Sequence, residues 1–142
     1  MKLKYMLDTN ICIYIAKKQP ANVLHRFEKI SVGEMAMSTI TYGELLYGAN
    51  KSQYREKTIA KLEELSHFIP PLPLPTDVGE YYGKIRSMLE KKGQPIGNND
   101  LWIAAHALSL DIILVTNNEK EFKRIAELKI ENWCNKDRKS VV

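Results

Sequence analysis

The most informative stretch of the sequence about the fold is Ile112-Ile113-Leu114-Val115-Thr116-Asn117-Asn118. Its first four residues are apolar and mostly β-branched, and its last three are polar. A continuous apolar run of this length is typical of a central strand in a parallel sheet that is covered on both faces. The stretch therefore predicts a buried strand that ends at Val115 and is followed by a polar loop.

Strands and helices alternate on both sides of this stretch. Residues 3–7 and 35–38 are predicted as two further strands, each with a polar stop. Apolar residues at helical spacing predict helices between the strands, and the most apolar of these helices is expected over 101–110. A short helix over 119–124 and an edge strand at Ile130 follow. This alternation predicts one three-layer α/β domain, with a central parallel sheet flanked by helices.

Three details of the connections are also predicted. Residues 70–75 carry four prolines, so they are expected to form an extended connection along an edge of the sheet. Asp77 and Glu80 have the spacing of an N-terminal capping pair for the helix that follows. Residues 95–99 contain turn-forming residues and are predicted as a loop.

The composition is that of a single globular domain. The chain has 142 residues and a formal net charge of +4, which favours an anionic partner such as nucleic acid. Cys12 and Cys134 form no close metal-binding pair, so we expect no zinc site and a reducing, cytoplasmic setting. The N-terminus becomes polar too soon for a signal peptide, and no apolar run has the length of a membrane span.

Acidic residues follow the predicted strands or open the predicted helices. Asp8 follows the first strand, Glu44 the second, and Glu121 the strand that ends at Val115, while Asp100 opens the most apolar helix. Ligands of open parallel sheets bind at the carboxyl ends of the strands, so these side chains are expected to meet. A divalent cation would relieve their repulsion, and oxygen ligands favour Mg²⁺ or Mn²⁺. With a basic chain, this pattern suggests phosphodiester hydrolysis.

Each acid also has a purely structural interpretation. Asp8 and Asp100 can cap the helices that they precede, and Glu44 stands three residues after Thr41, which is the capping-box spacing. Glu121 can be an ordinary exposed helix residue. Two other functions stay open on this basis. One is a non-catalytic RNA-binding module, and the other is a phosphatase with an aspartyl nucleophile at Asp8.

Other catalytic patterns are missing from the sequence. The three histidines show no metal-ligand spacing, no serine lies in a GxSxG elbow, and the glycines form no phosphate-binding loop. His106 is predicted to pack against the core or a partner. Basic residues that are candidates for gripping RNA are Lys17, Lys18, Arg86, Lys91 and Lys92. Aromatic residues that are candidates for stacking on bases, or for the core, are Tyr14, Tyr42, Tyr47 and Trp102.

Four motifs in series resemble the PIN domain. They are Met6-Leu7-Asp8-Thr9-Asn10, the segment 38–45, the segment 96–107 and Leu114-Val115-Thr116-Asn117-Asn118 with Glu121-Phe122. More narrowly, the chain is similar to the VapC toxins of bacterial toxin–antitoxin pairs. The similarity runs over residues 4–133, so the predicted domain covers 1–134 and leaves a polar tail at 135–142.

The resemblance implies an activity, a cofactor and partners. VapC toxins are endoribonucleases that depend on Mg²⁺ or Mn²⁺, and several cut tRNA, with initiator tRNA expected here. The family's metal ligands and catalytic acids correspond to Asp8, Glu44 and Asp100. Asp8 and Asp100 are the expected metal ligands, and Glu44 is expected to be either a further ligand or the base. The family's fourth acid is replaced here by Asn, so Asn118, Glu121 or both are expected to complete the site, supported by Thr116 and Asn10. The resemblance also implies a homodimer and a VapB-type antitoxin.

Overall fold

The computed structural model describes residues 2–135, and the predicted polar tail lies, apart from Asn135, outside them. The strands are β1 Tyr5–Leu7, β2 Met35–Ser38, β3 Pro71–Leu72, β4 Ile113–Val115 and β5 Ile130–Glu131. The helices are α1 Thr9–Lys17, α2 Ala21–Glu28, α3 Thr39–Lys51, α4 Arg55–Phe68, α5 Val78–Lys91, α6 Asn98–Leu110 and α7 Glu119–Phe122. Within the described residues, no helix is both long and apolar enough to cross a bilayer.

The five strands form one parallel sheet in the order β3-β2-β1-β4-β5. β1 lies at the centre of the sheet. Its neighbour β4 is the buried strand that was predicted to end at Val115. The backbone N–H of Asp8 donates to the carbonyl of Val115 (3.0 Å), so the ends of these two strands are joined directly. The parallel sheet predicted from the sequence is confirmed.

Helices cover both faces of the sheet, which confirms the three layers. Alternate residues of one strand enter different cores: Met6 packs with α5 and α6, whereas Leu7 packs with α1, α2 and α4. β4 divides in the same way, since Leu114 joins the first core and Val115 the second. Both cores contain fully buried side chains, so neither face of the sheet is exposed over its centre.

Three of the predicted connections differ in the structure. The proline segment does run along an edge of the sheet, but Pro71 and Leu72 also pair with β2 and form the edge strand β3. Proline is tolerated there because an outer edge needs no N–H donor.

The predicted capping pair of Asp77 and Glu80 is wrong. Asp77 has helical backbone angles (φ −68°, ψ −12°) and its side chain caps nothing, whereas a capping residue needs an extended backbone.

The start of α6 is the third difference. The loop predicted over 95–99 ends earlier, because α6 begins at Asn98 after Gly97 takes the capping position with an extended backbone. The carbonyl of Gly97 accepts the first helical hydrogen bond, from Leu101 N–H (2.9 Å). Asn98 and Asn99 are tolerated in this first turn because their N–H groups need no partner within the helix. The shift places Asp100 inside the helix rather than ahead of it.

Candidate active site

Four acidic side chains lie near the carboxyl ends of the central strands, at distances where their charges influence one another. Asp8 follows β1, Glu44 lies in the second turn of α3, Asp100 in the first turn of α6, and Glu121 in α7. Burial is the main cause of the raised pKa of Asp8, and the negative charges of Asp100 and Glu44 add to the rise. Those of Glu44 and Glu121 raise the pKa of Asp100. We call these four residues the acid cluster.

Asp8 is the most buried member of the acid cluster, with 5% of its surface exposed. Burial is the main reason that its pKa is raised to about 6, while hydrogen bonds from the Thr116 hydroxyl and the Ile11 N–H oppose the rise. The Ile11 N–H donates to Asp8 Oδ1 (3.0 Å), so Asp8 is also the N-cap of α1. Capping and membership of the acid cluster are therefore compatible at this position.

Asp100 is half-buried and caps no helix. It is the third residue of α6, and the capping position belongs to Gly97. The pKa of Asp100 is raised to about 6. Burial is the largest cause, and the negative charges of Glu44 and Glu121 are smaller causes. The capping interpretation of Asp100 is therefore wrong.

Glu44 does not form a capping box, because Ser38 is the N-cap of α3 and its hydroxyl accepts from the Ile40 N–H. The Glu44 carboxylate instead accepts two hydrogen bonds from other helices. Thr9 Oγ1 donates to Glu44 Oε1, and Asn99 Nδ2 donates to Glu44 Oε2 (3.3 Å). Both of its oxygens are thus held by the chain.

Asn118 and Glu121 form a pair, so the sequence alternatives at the fourth position are not exclusive. Asn118 Nδ2 donates to Glu121 Oε2 (2.7 Å). The Asn118 N–H in turn donates to Thr116 Oγ1 (2.9 Å), and Thr116 is fully buried. The three residues therefore form one short connection from the end of β4 to the Glu121 carboxylate.

Asn10 is not brought into this arrangement. It is exposed on α1, and its side chain makes no hydrogen bond with any of residues 2–135. Thr9 and Asn99 contact Glu44 instead, although no role was predicted for either. The one sequence signal that could have pointed to them is position, since Thr9 follows Asp8 and Asn99 precedes Asp100.

Within residues 2–135, no Lys, Arg or His nitrogen lies within 4.0 Å of a carboxylate of the acid cluster; the ion pairs of these residues all lie elsewhere. Nor do any three acidic, histidine or cysteine side chains of this part of the chain lie close enough to share one metal ion. The charge of the acid cluster is therefore not balanced by the described chain itself.

A groove passes beside the acid cluster between α1, α2, α3 and α4. One part of it, about 480 Å³, reaches Glu44 and is lined mainly by apolar residues such as Ile13 and Leu62. The adjoining part, about 670 Å³, shares the basic residues Lys17 and Lys61 with it and adds Lys18. We call this surface the α1–α4 groove.

The aromatic and histidine candidates divide between core and surface. Trp102 stacks on Tyr82 (ring centroids 3.8 Å apart) and Tyr14 and Tyr42 pack against the core, so of the four candidates only Tyr47 is largely exposed. His106 is fully buried, as predicted, with Nδ1 2.9 Å from Ser38 Oγ. Burial lowers its pKa.

Comparison with known proteins places this chain in a defined family. A sequence profile described as "PIN domain" matches residues 5–128. The match covers most of the chain, so the chain belongs to the PIN-domain family.

The relatives narrow this class to its VapC ribonucleases. The chain is 47% identical to "Ribonuclease VapC2" of Haemophilus influenzae over 92% of this chain and 98% of the relative. It is 44% identical to "tRNA(fMet)-specific endonuclease VapC" of Shigella flexneri over 92% and 98% of the two chains. The structure of VapBC-1 from nontypeable Haemophilus influenzae superposes with a TM-score of 0.86 at 44% identity, covering 94% of this chain and all of that one.

Proposed function

We propose that the protein is a metal-dependent endoribonuclease that cuts tRNA, with initiator tRNA as the first candidate substrate. The observation that carries this proposal is the acid cluster, whose Asp8 and Asp100 carboxyls have raised pKa values and no cationic partner among residues 2–135. Relatives that are 44% and 42% identical bear the name tRNA(fMet)-specific endonuclease, which supports the choice of substrate.

The residues of the acid cluster fit Mg²⁺ or Mn²⁺. The donors are oxygen atoms, which these cations prefer. Mg²⁺ commonly binds through one or two carboxylates and keeps several waters, so a site without three converged side chains suits it. Asp8 and Asp100 are the proposed ligands. When bound, the metal would neutralise charge on a phosphate and make a nearby water more acidic.

The remaining side chains have roles that follow from their contacts. Glu44 keeps free lone pairs beyond its two hydrogen bonds, so it can accept a proton from the attacking water. Asn118 holds the Glu121 carboxylate, whose charge acts on Asp100, and Thr116 holds both Asp8 and the Asn118 backbone. In-line attack by water on phosphorus would break the bond to the 3′ oxygen and leave a 5′-phosphate and a 3′-hydroxyl.

The first experiment measures cleavage of end-labelled total tRNA with Mg²⁺, with Mn²⁺ and with EDTA. We expect discrete fragments in both metals and none in EDTA, because the acid cluster would repel the phosphate without a cation. Sequencing the fragments identifies the substrate, and analysis of their ends gives the chemistry. Cleavage in EDTA, or a 2′,3′-cyclic phosphate on the product, would contradict the proposal.

Asn118→Ala tests the support of the fourth acid. The substitution removes the hydrogen bond to Glu121 and leaves all four carboxylates in place. We expect kcat to fall about tenfold, the range for one charge-assisted hydrogen bond, with the melting temperature nearly unchanged. Asn50→Ala is a control on the exposed end of α3. An unchanged kcat for Asn118→Ala would show that Glu121 needs no such support.

Partners are proposed on the same basis. The neighbours of known structure include VapBC complexes of Haemophilus influenzae, Rickettsia felis and Salmonella typhimurium. A VapB-type antitoxin is therefore the proposed protein partner, and the α1–α4 groove, which is lined by apolar and basic residues and reaches Glu44, is the surface that it would cover. A homodimer is also proposed, with exposed Tyr47 and Tyr54 available for contact; light scattering of the purified protein tests it.

A further inference from the structure

The carboxylate of Glu44 is held in place by two residues that lie far from it in the sequence. Thr9 on α1 donates to one oxygen and Asn99 on α6 donates to the other. The charge of Glu44 also acts on Asp8 and Asp100 and raises the pKa of each. Like charges repel, so a glutamate side chain with several rotatable bonds needs attractive contacts to stay at this position.

A second hydroxyl lies beside that of Thr9. Thr9 Oγ1 lies 3.3 Å from Thr41 Oγ1, and Thr41 is fully buried one turn before Glu44 in α3. The single hydroxyl hydrogen of Thr9 can serve one acceptor, and a carboxylate is a stronger acceptor than a hydroxyl. The Thr9 hydroxyl therefore has two acceptors within reach, Thr41 Oγ1 and Glu44 Oε1, and the hydrogen bond to the carboxylate is the stronger of the two.

We propose that Thr9 and Asn99 are positioning residues that hold Glu44 for RNA cleavage. This inference rests on the proposed function, because it concerns the geometry of the same reaction. Thr9 is bonded to Asp8 and Asn99 to Asp100 along the chain, so the same two segments that carry the aspartates also fix the third acid. The three carboxylates thus keep their relative placement as one unit.

The test compares Thr9→Val with Thr9→Ser. Valine keeps the shape of threonine without the hydroxyl, and we expect kcat to fall about 10- to 100-fold with KM within about twofold, because a misplaced catalytic group costs rate rather than binding. Serine restores the hydroxyl and is expected to stay within about threefold of the wild-type kcat. Thr39→Val, at an exposed position of α3, is the matched control and should leave kcat unchanged.

Two results would overturn the inference. One is a kcat for Thr9→Val that matches the wild type. The other is an equal loss in Thr9→Val and Thr9→Ser, which would mean that packing and not the hydroxyl matters at this position. Melting curves of all three variants exclude unfolding as the cause of a loss.

A spectroscopic measurement tests the same contacts without relying on cleavage. In the ¹⁵N-labelled protein, Glu44→Ala is expected to shift the side-chain amide signal of Asn99 and to leave that of Asn22, which donates to the Cys134 carbonyl, in place. An unshifted Asn99 signal would overturn the inference. If the wild-type protein cuts no RNA, the proposed function fails, while the Asn99 signal still decides whether Glu44 is held.

Discussion

Asp100→Asn is expected to lower cleavage by about a thousandfold or more, a loss of about 4 kcal/mol in transition-state stabilisation. Asparagine keeps the size of the side chain and removes its negative charge. Asp100 caps no helix. A loss of activity in a variant that still folds could therefore not be attributed to the loss of a helix cap. The measurement is single-turnover cleavage of the tRNA substrate with Mg²⁺.

Binding of RNA separates catalysis from recognition in this variant. Asp100→Asn removes one negative charge from the surface that would face the phosphates, so its affinity for uncleaved tRNA should equal or exceed that of the wild type. Asp77→Asn is the control, since Asp77 is exposed and its side chain caps nothing. Cleavage by Asp100→Asn within about tenfold of the wild type would leave the acid cluster without a catalytic role and favour a non-catalytic RNA-binding module.

Asp8→Asn is expected to make the metal-free protein more stable at neutral pH while it removes activity. The pKa of Asp8 rises from 3.8 to about 6 on folding, mainly through burial. A rise of that size means that the ionised carboxylate costs the folded state up to about 3 kcal/mol. Asparagine avoids this cost and is an equally good N-cap, so the hydrogen bond from the Ile11 N–H is retained.

The sign of the effect sets its pH dependence. A carboxyl with a raised folded-state pKa is protonated more readily when folded, so it costs nothing below about pH 4. The cost grows between pH 4 and 6 and is constant above. Thermal unfolding in EDTA should show Asp8→Asn melting roughly 5–10 °C above the wild type at pH 7.5, with no difference near pH 4.

Addition of Mg²⁺ should reverse this order in part. Ligand binding stabilises only the protein that binds it, so the wild type is expected to gain melting temperature with Mg²⁺ and Asp8→Asn is not. A lower melting temperature for metal-free Asp8→Asn at neutral pH would show that the ionised Asp8 stabilises the fold. In that case Asp8 would be better explained as a cap than as a metal ligand.

Much of the fold could be predicted from local patterns. The run over 112–115 indicated a buried strand because both faces of β4 contact a core, and the alternation of elements then required a parallel sheet. The edge strand β3 was not predicted as a strand, because its pairing with β2 depends on tertiary contact and prolines disfavour it locally. The pair Asp77 and Glu80 had the right spacing, but the backbone of Asp77 is helical.

The acidic residues of the candidate site could be predicted from the sequence, but the residues that hydrogen-bond to them could not. Asp8 and Glu121 follow strands whose carboxyl ends meet, so a topological rule brings them together. The contacts of Glu44 with Thr9 and Asn99 join residues 35 and 55 positions apart, and no local pattern encodes such a pairing. Asn10 was expected to support the site. The hydroxyl of Thr9, the preceding residue, is the group that contacts Glu44.

The two edge strands of the sheet limit how another chain can pair with it. β3 and β5 are each two residues long, and prolines at positions 70, 71 and 73 deprive the β3 edge of N–H donors. Edges this short, one of them also blunted by prolines, are poor templates for strand addition and protect against sheet-to-sheet aggregation. We therefore expect a protein that binds this domain to dock on its helices rather than to extend its sheet.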